Sequence, residues 1–160
     1  MIDYLVVMKK TVNLTAAGKA DLEKELADLI AQRPAIAERI ATARAFGDLS
    51  ENQEYTDARA EQKNVENRII EIEDILKNAV LIKAPRANDT IAMGATVVID
   101  MGGKEFTYTI VGPVEANPLE GKISHESPIG KELMGRKAGE EFDFNGKKVK
   151  IKSLWPLWTT

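Results

Sequence analysis

The sequence predicts an α+β protein: a long antiparallel α-helical coiled-coil hairpin followed by a small antiparallel β domain with one short helix. Two observations carry this. First, apolar residues step by four and three along two successive stretches: Leu22, Leu26, Leu29, Ile36, Ile40 and Ala43, then Tyr55, Ala58, Val65, Ile69, Ile72, Leu76 and Ala79. That spacing is the seam of a coiled coil. The pairs Leu22 with Leu76, Leu26 with Ile72, Leu29 with Ile69, Ile40 with Ala58 and Ala43 with Tyr55 each have residue numbers summing to 98. A constant sum means that the arms fold back on each other about residue 49. Second, the apolar period changes from helical to alternating after a breaker-rich stretch at residues 84–90. The expected organisation is a hairpin over residues 1–83 with its tip at 47–52, a linker at 84–90, and a β domain over 91–160.

The first helix is expected to start after Thr15, whose hydroxyl suits an N-cap, with Asp21 and Glu23 near the positive end of the dipole. It should run to about Phe46 and stop at Gly47. Pro34 removes one helical hydrogen bond and should bend the rod. Arg33 falls on the seam opposite Val65, and Gln62 opposite Ile36, so the seam is weakest halfway along. The second helix is expected over Asn52 to Ala79. Arms of about 28 residues span about 40 Å. One seam between two helices is marginal alone, so the base should dock on the rest of the chain.

Beyond the linker, Thr96-Val97-Val98-Ile99-Asp100 reads as a strand and Met101-Gly102-Gly103-Lys104 as a turn. Phe106, Tyr108 and Ile110 then alternate with threonines in a half-buried strand. Ser127-Pro128 pairs an N-cap with proline at the first helical position and opens a short helix that stops near Gly135. Phe142 and Phe144, the Asn145-Gly146 turn, and Val149 and Ile151 read as a hairpin.

Composition narrows the chemistry. The net charge of −3 gives no bulk case for nucleic-acid binding. Residues 1–80 hold 11 basic and 15 acidic side chains, and residues 81–160 hold 11 and 10. The absence of cysteine excludes disulfides, thiolate metal sites and a cysteine nucleophile. A single histidine, His125, excludes a His-rich metal site, and it reads as a surface or turn residue. The opening apolar run is too short for a signal sequence or a membrane span, so a cytoplasmic protein with no membrane partner is expected.

Asp48 and Glu51 are the residues of interest. Three apart at a helix start, they fit a capping box in which each satisfies the other's backbone amide. They also fit a contribution to a Mg²⁺ site completed by a partner, because this ion takes a few carboxylates and keeps several waters. Tyr55 fits the last seam position or a partner contact. Arg44 and Arg59, on opposite arms, fit solvated charge or contacts with RNA phosphate.

The segment Gly47-Asp48-Leu49-Ser50-Glu51-Asn52-Gln53-Glu54-Tyr55 resembles the tip motif of the bacterial Gre family of transcript-cleavage factors, on its GreA-like side. The likeness extends through Leu14-Thr15, Gly18, Leu22-Glu23-Lys24-Glu25-Leu26, Arg33-Pro34, Ala43-Arg44, Arg59 and Gly94-Ala95-Thr96-Val97. Ile110-Val111-Gly112, Ile123-Ser124 and Ser127-Pro128-Ile129-Gly130-Lys131-Glu132-Leu133-Met134-Gly135 complete it, so that it covers roughly residues 14 to 152. Residues before it exceed the usual pattern, and the end, Leu154 to Thr160, does not match; there Trp155 is expected in the core.

The resemblance implies a C-terminal domain similar to FK506-binding proteins that docks on RNA polymerase core. It implies a coiled coil inserted through the secondary channel to the nascent RNA 3′ end of a backtracked complex. Asp48 and Glu51 match the acids that help hold a second Mg²⁺, shared with the polymerase, so that the polymerase's own site hydrolyses the RNA. The factor would then be no enzyme itself, hold no cofactor of its own and act as a monomer. Arg44 and Arg59 match a basic patch near the RNA 3′ end. Ser50, Asn52 and Tyr55 complete the expected contact set for RNA or polymerase. The intact acidic tip favours cleavage stimulation over a channel-blocking inhibitor. A chaperone-like clamp with an isomerase-type domain is the third reading. The FK506-binding fold alone does not grant isomerase activity.

Overall fold

The computed structural model describes residues 10–48, 52–82 and 90–156. The chain divides into two compact units. One is the helical hairpin, residues 19–78; the other joins residues up to Gly18 with those from Ala79 onward. The hairpin unit is therefore narrower than the expected 1–83, because the residues flanking it pair with each other. Residues 84–89 of the expected linker lie outside the described residues.

In the hairpin unit, α1 spans Ala16–Ala45 and α2 spans Gln53–Lys77. The heptad seam forms as the spacing requires. Ile36, Ile40, Ala58, Val65 and Ile69 are buried as one cluster, with Leu26, Leu29 and Tyr55 packed against it. Leu22, Ala43 and Ile72 are buried too. α1 runs through Pro34 without a break. At the weak middle layer Arg33 swings to the surface and forms a bidentate pair with Glu66, at 2.8 and 2.7 Å. A hollow of about 160 Å³ lined by Arg33, Ile36, Ala37, Gln62, Val65 and Glu66 remains there. Further pairs cross between the arms. Arg68 grips both oxygens of Glu25, and Arg39 reaches Glu54 and Glu61.

Two expectations about helix ends are corrected. The second helix stops at Lys77, and Ala79 starts a strand instead of filling the seam. Asp21 and Glu23 lie beyond the first turn of α1, which holds no acid. The carboxylate at that helix start comes from far along the chain. Thr15 caps α1 by accepting from the Gly18 amide at 3.0 Å, while its own amide donates to Glu115 at 2.7 Å and its hydroxyl to the other oxygen. Gly18 leaves room for this, since a Cβ would stand 1.9 Å from Glu115 Oε1 and push that carboxylate aside.

In the second unit, β1 (Val12–Leu14) and β2 (Ala79–Leu81) form a parallel pair. The main sheet comprises β3 (Ala95–Met101), β4 (Lys104–Val111), β5 (Lys122–Ser124), β6 (Glu141–Phe144) and β7 (Lys147–Pro156), in the order β5-β4-β3-β7-β6. The β3–β4, β3–β7 and β6–β7 pairs are antiparallel, but β5 runs parallel to β4. The sheet is thus mixed, not purely antiparallel, because two 3₁₀ turns at Pro113–Glu115 and Pro118–Glu120 return the chain before β5 pairs. The short helix α3 (Pro128–Leu133) is capped by Ser127, whose hydroxyl accepts from the Gly130 amide. The Asn145-Gly146 turn has φ of 49° and 76°, the left-handed pair that a tight hairpin needs. Val97, Ile99, Ile110, Ile123, Leu133, Val149 and Ile151 form the core. His125 is half-buried, its backbone amide donating to Val111 O. Among the described residues no helix is long and apolar enough to cross a membrane.

Candidate metal-assisting tip

The turn between the arms is built from both helix ends. The last turn of α1 closes with the Phe46 amide donating to Ala43 O at 3.2 Å and the Gly47 amide to Arg44 O at 3.3 Å. Gly47 then adopts φ +104°, a backbone angle that a side chain would strain, and the chain leaves the helix. Asp48 follows at once, exposed to solvent. Leu49, Ser50 and Glu51 lie outside the described residues.

Asn52 resumes the described chain and caps α2. Its Oδ1 accepts from the Tyr55 amide at 3.1 Å, and its Nδ2 donates to Ala43 O at 2.8 Å. One side chain thus starts the second helix and ties it to the end of the first. The capping-box reading of Asp48 and Glu51 involves Glu51, which lies outside the described residues; within them α2 begins at Gln53 and its cap is Asn52. Asn52 suits that place because its amide serves both arms, where a carboxylate could only accept.

Tyr55 is half-buried against the seam, and the Arg44 guanidinium lies 5.8 Å from its ring centre. Tyr55 therefore ends the seam, the first of its two sequence readings, and it also braces a tip cation. Arg59 stands one turn further along α2, exposed, and donates to Gln62. The structure groups Arg44, Asn52 and Tyr55; Arg59 belongs to the next turn. Phe46 is a tip residue that spacing did not single out, and its side chain is 82% exposed. A signal was present, because a large apolar residue at 46 falls off the ladder that ends at Ala43.

Among the described residues no three carboxylate or imidazole side chains converge on one point. The donor chemistry at Asp48, a hard carboxylate oxygen on a solvent-exposed residue, fits an ion that keeps most of its hydration and takes one or two protein carboxylates. It fits a ligand lent to a site, with the remaining ligands supplied elsewhere.

Comparison with known families agrees with both halves of the chain. Residues 12–81 match the family model described as transcription elongation factor, N-terminal, and residues 86–155 match transcription elongation factor, GreA/GreB, C-terminal. Transcription elongation factor GreA of Listeria welshimeri is 51% identical over 137 residues, which cover 83% of this chain and 86% of that protein. The GreA of Bacillus subtilis is 45% identical over 139 residues, covering 85% and 88%. Among solved structures, the GreA factor homologue Gfh1 of Thermus thermophilus aligns over 91% of this chain and 99% of that one, with 26% identity and a TM-score of 0.44.

Proposed function

The chain belongs to the GreA/GreB family of transcription elongation factors, and from that premise we propose that it stimulates cleavage of backtracked RNA by RNA polymerase. The observation that supports this reading most is the place of Asp48: an exposed carboxylate directly after Gly47, at the turn between two helical arms, in a chain whose second helix is capped by Asn52. The arms have the reach an active-centre probe needs: the 30 residues of α1 rise about 45 Å and the 25 of α2 about 38 Å. The β unit docks on the polymerase core, and the factor works as a monomer in the cytoplasm.

In this reading the chain's residues have separate tasks. Asp48 and Glu51 offer carboxylate oxygens at the polymerase's catalytic centre. Mg²⁺ held there between factor and polymerase would lower the pKa of the attacking water. Arg44, braced by Tyr55, faces the phosphates of the extruded RNA 3′ end, where a guanidinium fork suits phosphate oxygens. Arg59 adds a second cation one turn away. Asn52 keeps the tip from fraying, and Ser50 completes the polar contact set. The hydrolytic machinery belongs to the polymerase, so the factor is an activator without a full active site of its own.

The test uses purified polymerase stalled in a backtracked state. The parent protein should shorten the RNA from its 3′ end in a Mg²⁺-dependent way. Asp48→Asn and Glu51→Gln should each lower the cleavage rate at least about a hundredfold, as loss of a charge-stabilising group does, and still compete for polymerase. If both variants cleave like the parent, the acids have no part in the reaction. If the parent binds and only blocks synthesis, the protein is an inhibitor.

A further inference from the structure

Phe46 is the most exposed large aromatic side chain among the described residues, at 82%, and it sits two positions from Asp48. Water contact over that much ring is unfavourable. The backbone beneath it is fixed, not loose. Its amide donates to Ala43 O, and that same oxygen accepts from Asn52 Nδ2 across the turn. The backbone that carries the ring is therefore tied at the end of α1 by bonds from both arms. Arg44 lies two residues before it and Asp48 two residues after. A cation, an aromatic face and a carboxylate within five residues match the three parts of a nucleotide at a metal site: phosphate, base and ion.

We infer that Phe46 stacks on the base of the extruded 3′ nucleotide and so helps hold it beside Asp48. The inference rests on the cleavage reading above and deepens it by naming the group that grips the substrate's base. A phenyl ring has no hydrogen-bonding edge, so it would favour purines by stacking area, without reading base identity. A contact with polymerase protein is the competing use of such a ring. The flanking Arg44 and Asp48 favour the nucleotide, because a protein pocket for Phe46 alone calls for neither charge.

The experiment compares the parent with Phe46→Leu and Phe46→Tyr on complexes backtracked by one nucleotide, ending in adenosine, in uridine or in an abasic ribonucleotide. Competition for RNA-free polymerase core is measured in parallel. Tyr should cleave within about twofold of the parent. Leu should fall about tenfold on adenosine, the size of one lost base stack, and much less on the abasic end, with polymerase binding unchanged. Equal rates for Leu and the parent on adenosine would overturn the inference while leaving the cleavage reading intact. A loss for Leu that is the same on abasic and adenosine ends, or that appears as weaker binding to RNA-free core, assigns the ring to protein and also overturns it. A parent that cleaves no RNA removes the cleavage reading, and this inference with it.

Discussion

Asn52 does two jobs with one amide, and substitutions can separate them. Asn52→Asp keeps an acceptor for the Tyr55 amide but loses the donor to Ala43 O. Asn52→Ala loses both. Ala is expected to lower hairpin stability by about 1 kcal/mol for the cap alone, and more with the lost tie. Asp should cost only the tie, about 0.5–1.5 kcal/mol. Thermal unfolding followed by helical circular dichroism checks the order: parent, Asp, Ala. A second residue-scale prediction concerns Gly18. In Gly18→Ala the new methyl would collide with Glu115 and displace it from Thr15. The expected loss is about 1–3 kcal/mol in urea unfolding, from a buried hydroxyl and amide left without their acceptor. Glu115→Gln in the Gly18→Ala background should cost far less than it does alone. At this scale the sequence was half legible. Thr15, Gly47 and Ser127 declare their caps locally, because each acts within three or four residues. Glu115 could not be found that way, since its partner is 100 positions away. Asn52 was singled out as a contact residue, and its cap on α2 shows only once the helix start is placed at Gln53.

The helical hairpin was legible as an element because its seam is a two-body pattern, repeated and self-checking by register. Arg33 and Gln62 marked the weak layer in advance, and a hollow with an ion pair over it is what a polar residue in an apolar seam produces. The ion pairs across the arms follow from the same register but needed rotamers to see. They give the element a pH dependence. The hydrogen bonds from Arg68 hold the Glu25 carboxyl below its usual range, and those from Arg33 do the same for Glu66. A depressed folded-state pKa means stabilisation that is complete above the unfolded glutamate value of about 4.3 and lost as pH falls through the folded value. The hairpin's melting temperature should therefore hold from neutral pH to about 5 and drop below it. Glu66→Gln should flatten part of that drop. Raising salt should shrink it too, because these pairs face water and are screened. An acid transition equally steep in Glu25→Gln/Glu66→Gln would assign it to other carboxylates.

Across the whole molecule the hairpin is also a connection. β1 and β2 are parallel neighbours, and parallel strands cannot be joined by a tight turn. Residues 19–78 are the crossover that joins them, so the β unit is assembled from both sides of the hairpin. This is why the expected boundary at 83 and the observed one at 78 differ. Three-residue strands carry too little alternation to be read, and only the pairing of Val12 with Ala79 and Leu14 with Leu81 makes them strands. The same design makes hairpin length adjustable without touching the β unit. Deleting residues 29–35 together with 63–69 removes one heptad from each arm and preserves the constant-sum register of the layers that remain. It takes out Pro34, Arg33, Glu66 and the hollow, and shortens the rod by about 10 Å. Ile36, Ile40, Ala58 and Ile72 stay on the seam, and Asn52 and Thr15 keep both ends capped. If the function depends on the length of the arms that carry the carboxylate, this variant should fold, compete for RNA polymerase like the parent, and lose cleavage stimulation entirely. Mere weakening of the rod predicts something different: partial activity that recovers on cooling. Measuring cleavage at two temperatures, alongside helical circular dichroism, separates a tip that is too short from a rod that is too soft.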